Sequence, residues 1–124
     1  MRLLLDTQVF LWWRSDPRRI DRAAERAISR ASLVYVSAAS AWEASIKVRL
    51  GKLRFPGSFA AAVDESEFTP LAVSMGHADA VRDLPTHHND PFDRMLVAQA
   101  QSDGLTLVTA DPQLEPYRVP VIWA

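Results

Sequence analysis

The sequence contains no cysteine among its 124 residues. Disulfides, thiolate zinc sites, iron–sulfur clusters and cysteine nucleophiles are excluded, and the composition suits a reducing cytoplasm. No apolar run reaches the roughly 18–20 residues that a membrane span needs. The N-terminal stretch also lacks a signal-peptide layout, so a cytoplasmic protein without membrane contact is expected. Glycine is scarce. The four at positions 51, 57, 76 and 104 are isolated, and no phosphate-cradling loop is visible. No serine lies in a nucleophile-elbow sequence, which removes a Ser-His-Asp reading. Net charge is small as well, with 14 basic and 15 acidic residues giving −1. A uniformly basic nucleic-acid binder is disfavoured on that figure.

The balance hides an asymmetry. Residues 1–54 hold 11 Lys/Arg against 5 Asp/Glu, whereas residues 55–124 hold 3 against 10. Arg18, Arg19, Arg22, Arg26 and Arg30 read as the solvated face of a helix. The sharper alternative is a basic surface that attracts a polyanion or an acidic partner. The length fits a single domain spanning 1–124, with neither linker nor repeat.

Short apolar runs alternate with helical patterns. Leu3–Leu5, Leu33–Val36, Leu105–Val108 and Val119–Ile122 read as buried strands. Phe68–Val73 is weaker, and its Pro70 suits an edge. Between them fall helices at Gln8–Arg14, from an Asp21 cap to about Ala31, and at Ala38–Leu50 behind a Ser37 cap, with Gly51 beyond its end. Further helices run from Pro56–Ser58 to about Glu67, from Ser74 to Leu84, and from Asp90-Pro91 to Gly104. This alternation implies an α/β fold with a parallel sheet.

Four acids have suggestive places in that scheme. Asp6 follows the first strand directly, and Asp111 stands just beyond Leu105–Val108. Ligands of open parallel sheets bind outside the carboxyl ends of strands, although either acid alone could cap the next helix. Glu43 shares a helix face with Ala39, Ile46 and Leu50, where a carboxylate is costly unless paired, metal-bound or at the exposed end of the stripe. Asp93 occupies the third position of the helix that Asp90 caps, and Asp90 is the better structural acid. Four ionised carboxylates in one notch repel one another. A hard divalent cation removes the conflict, and oxygen donors suit Mg²⁺ or Mn²⁺. Phosphodiester hydrolysis is the chemistry such a site favours.

These residues resemble the PIN-domain nucleases, and most closely the VapC-type toxins of bacterial toxin–antitoxin pairs. Asp6-Thr7 resembles the family's opening Asp-Thr/Ser, and Glu43 in Ser37-Ala38-Ala39-Ser40-Ala41-Trp42-Glu43 its helix glutamate. Asp93 in Asp93-Arg94-Met95-Leu96 resembles the third acid, and Asp111 after Leu107-Val108-Thr109-Ala110 the fourth. The segments around Lys47–Leu53 and His88–Arg94 resemble one subgroup. The resemblance covers essentially the whole chain. It implies a three-layer α/β/α sandwich and a Mg²⁺- or Mn²⁺-dependent ribonuclease in which Asp6, Glu43, Asp93 and Asp111 are the catalytic, metal-holding residues. It also implies an RNA substrate, a small antitoxin protein as partner, and a homodimer. The alternatives are a PIN nuclease that processes RNA without an antitoxin, and an inactive PIN-like interaction module.

Other features carry less. Thr7 and Thr109 hydroxyls are expected to bond water or the neighbouring carboxylates, or to serve as caps. Lys47, Arg49 and Lys52 read equally as phosphate contacts or as a solvated face. His87-His88 reads as a loop that positions the following helix, because adjacent side chains rarely converge on one ion; the alternative is that one of the two contacts substrate. Phe10, Leu11, Trp12 and Trp13 exceed what one helix face buries; core packing is expected to take two or three of them, and the remainder suits a dimer or antitoxin surface.

Overall fold

The computed structural model describes residues 1–124. A sheet of five strands forms its middle layer: β1 (Arg2–Leu5), β2 (Leu33–Ser37), β3 (Thr69–Leu71), β4 (Thr106–Thr109) and β5 (Val121–Trp123). The strand order is β3-β2-β1-β4-β5, and every pairing is parallel. Six helices supply the crossovers: α1 (Thr7–Ser15), α2 (Arg22–Arg30), α3 (Ala38–Arg49), α4 (Phe59–Glu65), α5 (Met75–Arg82) and α6 (Pro91–Asp103). Short 3₁₀ turns lie at Pro17–Arg19 and Pro112–Leu114.

The pleat of β1 divides the core in two. Leu3 and Leu5 join Val9 and Phe10 of α1, Ala24 and Ile28 of α2, and Val63 of α4 on one side. Leu4 faces the other side, with Leu96, Val97 and Ala100 of α6. In β4 the same alternation sends Leu107 to the second cluster and Val108 to the first. A strand buried on both faces needs apolar residues at every position, which is why these strands read as continuous runs. Complete burial of Phe10 alone is worth about 1.5–3 kcal/mol relative to exposure. The result is an α/β/α sandwich, as expected from the alternation.

Element boundaries move where backbone chemistry dictates. Pro70 pairs with Val36 in β3, and the edge position spares a donor that proline lacks. Pro120 likewise delays β5 to Val121, while its carbonyl still accepts from Leu107 N at 2.9 Å. Leu105 closes α6 instead of opening β4, donating to Ala100 O at 2.9 Å across the left-handed Gly104, φ 66°.

Three members of the apolar run of α1 pack into the core, within the two or three expected. Phe10 is wholly buried, and Trp12 and Trp13 pack against the first core cluster. Arg19 lies 4.9 Å over the Trp12 ring, and Trp13 lies 5.6 Å from Phe68. The most exposed aromatic side chain is Trp42, 64 % exposed and edge-on to Phe92, followed by Trp123. The 3₁₀ turn at Pro17–Arg19 and Phe68 pack on the α1 tryptophans, which helix periodicity alone does not reveal.

Candidate active site

Strand order fixes where a ligand can sit. From β1 the chain moves to β2 and β3 on one side, then returns to β4 and β5 on the other. Crossover helices therefore diverge beyond the carboxyl ends of β1 and β4, opening a crevice there. Asp6 leaves β1 at this edge, and its N–H donates to Val108 O at 3.0 Å. Asp111 leaves β4 two residues after Thr109.

Both acids are caps and both are held from elsewhere. Asp6 is buried at 5 % exposure, and its Oδ1 accepts from Val9 N at 2.8 Å at the start of α1. Its Oδ2 accepts from the Thr109 hydroxyl at 2.5 Å. That hydroxyl oxygen in turn accepts from Asp111 N at 3.0 Å, so Thr109 ties the two acids together. Asp111 Oδ1 accepts from Gln113 N at 2.9 Å, capping the 3₁₀ turn. Thr7 donates to Ser40 Oγ at 2.8 Å and joins α1 to α3 beside the crevice.

Glu43 reaches the site from α3, which touches both α1 and α6. Ser37 caps this helix by accepting from Ala39 N at 3.0 Å. Glu43 is buried beside Ala39, Ser40 and Ala44, whereas Ile46 and Leu50 are exposed. The apolar stripe thus reaches the surface just beyond Glu43, and the acid sits at its end, not within it. Its Oε2 accepts from Lys47 Nζ at 2.8 Å, a contact that raises the Lys47 pKa above the usual lysine value. Its Oε1 is buried with no hydrogen-bond partner. A buried carboxylate oxygen left unpaired costs about 1–3 kcal/mol or more, so this orphan is informative.

Asp93 enters from the first turn of α6. Asp90 caps that helix, its Oδ1 accepting from Phe92 N at 2.8 Å and from Asp93 N at 3.0 Å. Asp90 is therefore the structural acid, and Asp93 is free to face the crevice. Burial pushes the Asp93 pKa up to about 7, helped by the charges of Asp90, Asp6 and Glu43 and opposed by His88. Burial likewise raises Asp6, with Asp111 and Glu43 adding to the shift and the Thr109 and Val9 hydrogen bonds opposing it. Asp6 feels the charges of Asp111 and Glu43, and Asp93 those of Asp6 and Glu43, so the four sequence-derived acids lie near one another at this edge.

His88 stands beside these acids. His88 Nε2 lies 2.9 Å from Asp111 Oδ2 and 3.2 Å from Asp93 Oδ2. The three side chains place their ligand atoms within 4.8 Å of one another, a geometry able to hold a divalent cation. His87 turns away and packs edge-on against Tyr117 at 5.0 Å. Of the two histidines, only His88 reaches the crevice, beside the loop that leads into α6. Adjacency argued only that both rings would not converge on one ion, and one of them does reach the crevice.

An all-parallel α/β/α sandwich with carboxylates gathered at its switch point defines a fold class. Comparison with known proteins narrows it. Residues 3–119 match the PIN domain, and the chain belongs to the PIN-domain family. It is 34 % identical to Ribonuclease VapC22 of Mycobacterium tuberculosis over 125 aligned residues, covering 95 % of this chain and 93 % of that protein, which makes it a VapC-type member. Its fold is similar to a crystal structure of VapBC2 from Rickettsia felis bound to a promoter DNA fragment, with a TM-score of 0.75, 13 % identity, and 99 % and 98 % of the two chains covered. It is similar also to a structure of DNA-bound VapBC from Salmonella typhimurium, with a TM-score of 0.73, 19 % identity, and 99 % and 98 % coverage. No helix is long and apolar enough to cross a membrane.

Proposed function

We propose that this chain is a Mg²⁺- or Mn²⁺-dependent endoribonuclease and the toxin of a VapBC-type toxin–antitoxin pair. The observation that carries this reading is the orphaned, buried Glu43 Oε1 in a crevice shared with Asp6, Asp93 and Asp111. An unpaired anionic oxygen among other carboxylates fits a cation. Every acid in the set is a hard oxygen donor, and the chain has no thiolate to favour a softer metal.

Asp6, Glu43, Asp93 and Asp111 are the residues that would hold the cation. When bound there, it supplies neutralising charge for a phosphate and activates water for attack on phosphorus. The chain's own contribution is to hold its acids still. Thr109 and Val9 orient Asp6, Lys47 fixes one oxygen of Glu43, and Gln113 fixes one of Asp111. Exposed Arg49 and Lys52 continue the basic end of α3 and suit contact with the phosphate backbone. The antitoxin partner rests on the likeness to Ribonuclease VapC22 and to VapBC assemblies.

Incubation of the purified chain with RNA tests the enzymatic reading. Cleavage is expected with Mg²⁺ or Mn²⁺, is lost with EDTA, and is absent in Asp6→Asn, whose amide oxygen preserves the helix cap. Cleavage that persists in EDTA, or in Asp6→Asn, contradicts it.

A further inference from the structure

His88 stands among the acids, and its neighbours determine which of its nitrogens carries the proton. Asp90 N donates to His88 Nδ1 at 3.1 Å. A nitrogen that accepts a backbone N–H holds a lone pair, so the proton of the neutral ring resides on Nε2. Nε2 is also the atom facing Asp111 and Asp93. Metal ligation through Nε2 needs the opposite tautomer, which turns an Nδ1–H against the Asp90 N–H. A ligating imidazole ordinarily donates from its far nitrogen; here the far nitrogen accepts.

The backbone of His88 is held just as firmly. Its N–H donates to the Tyr117 hydroxyl at 2.9 Å, and the Arg94 guanidinium lies 3.4 Å from the same oxygen. Arg94 further donates to Pro85 O at 2.9 Å, Val81 O at 3.1 Å and Leu84 O at 3.3 Å. This fork spends its donors on carbonyls of the segment leading to His88 and pairs with no carboxylate. Ring and backbone are thus both fixed before any ligand arrives.

We propose that His88 is a positioning residue of the metal site: a fixed Nε2–H donor that aims the Asp111 and Asp93 carboxylates from outside and does not itself ligate the ion. The inference rests on the metal-site reading above and refines it. It leaves an all-oxygen donor set, which favours Mg²⁺ and Mn²⁺ over nitrogen-seeking Zn²⁺ or Ni²⁺.

Three readouts on the full chain test it. In protein labelled with ¹⁵N-histidine, the His88 signals are expected to keep the proton on Nε2 before and after Mg²⁺ is added. Pulsed EPR of bound Mn²⁺ should show no coupling to an imidazole nitrogen. Mg²⁺ affinity should fall about tenfold or more in His88→Ala and recover in part in His88→Gln, whose amide N–H can donate. Loss of the Nε2 proton on metal binding, or nitrogen coupling to Mn²⁺, overturns the proposal by making His88 a ligand. Unchanged Mg²⁺ affinity in His88→Ala overturns it by removing the positioning role. Absence of Mg²⁺ and Mn²⁺ binding by the unmodified chain overturns it together with the metal-site reading. The other two outcomes leave that reading intact.

Discussion

Thr109 donates its hydroxyl proton to Asp6 Oδ2 at 2.5 Å, linking the end of β4 to the acid that follows β1. The two residues are far apart in sequence and adjacent in the sheet, because β1 and β4 pair in parallel register. Since the same hydroxyl oxygen accepts from Asp111 N, one side chain sets the relation between two acids from different strands.

Thr109→Val keeps the shape and deletes both bonds. It is expected to destabilise the chain by about 1–3 kcal/mol, because buried Asp6 loses the Thr109 donor and the half-buried Asp111 N loses its acceptor. Metal affinity or RNA cleavage should fall about 10- to 100-fold, and Thr109→Ser should retain most of both. Urea denaturation and Mg²⁺ titration of the two variants provide the check.

Asp93 predicts a pH dependence of the metal-free fold. Its folded pKa of about 7 lies above the unfolded value of roughly 3.9, so the folded chain binds the proton more tightly. Its contribution to stability is therefore fully present below about pH 4 and is lost as pH rises through about 7. In EDTA, Asp93→Asn should melt higher than the unmodified chain at about pH 8 and gain little at about pH 4. Added Mg²⁺ should raise the melting temperature of the unmodified chain most on the alkaline side. Thermal melts across that range decide the matter.

Gln99 is fully buried in α6 and bridges to the start of α3. Its Oε1 accepts from the Ser37 hydroxyl at 2.6 Å, and its Nε2 donates to Ala72 O at 3.3 Å. Gln99→Leu preserves bulk but strands the Ser37 hydroxyl at the helix that carries Glu43. A loss of about 1–3 kcal/mol in denaturant unfolding is expected.

Much of the fold was legible because its cues are local. Leu3–Leu5 is apolar at every position, Ser37 and Asp90 stand where caps belong, and Pro91 fits the first helical turn. Asp6 and Asp111 were legible for a related reason, since each closely follows a recognisable strand. His88 was not. Its place depends on Arg94 and Tyr117 folding the preceding segment over Asp111, 23 residues away, and no periodicity encodes that closure. The exposure of Ile46 and Leu50 was hidden similarly, because a helical stripe does not reveal where the helix outruns the layer beneath it.

Direct Mg²⁺ titration calorimetry of the unmodified chain beside Glu43→Gln tests the shared carboxylate site most closely. Glu43→Gln keeps the shape of the side chain and removes the unpaired anionic oxygen. The unmodified chain is expected to bind Mg²⁺, and Glu43→Gln to bind it at least about tenfold more weakly while remaining folded. Equal affinity in the two proteins contradicts a cation held by Asp6, Glu43, Asp93 and Asp111.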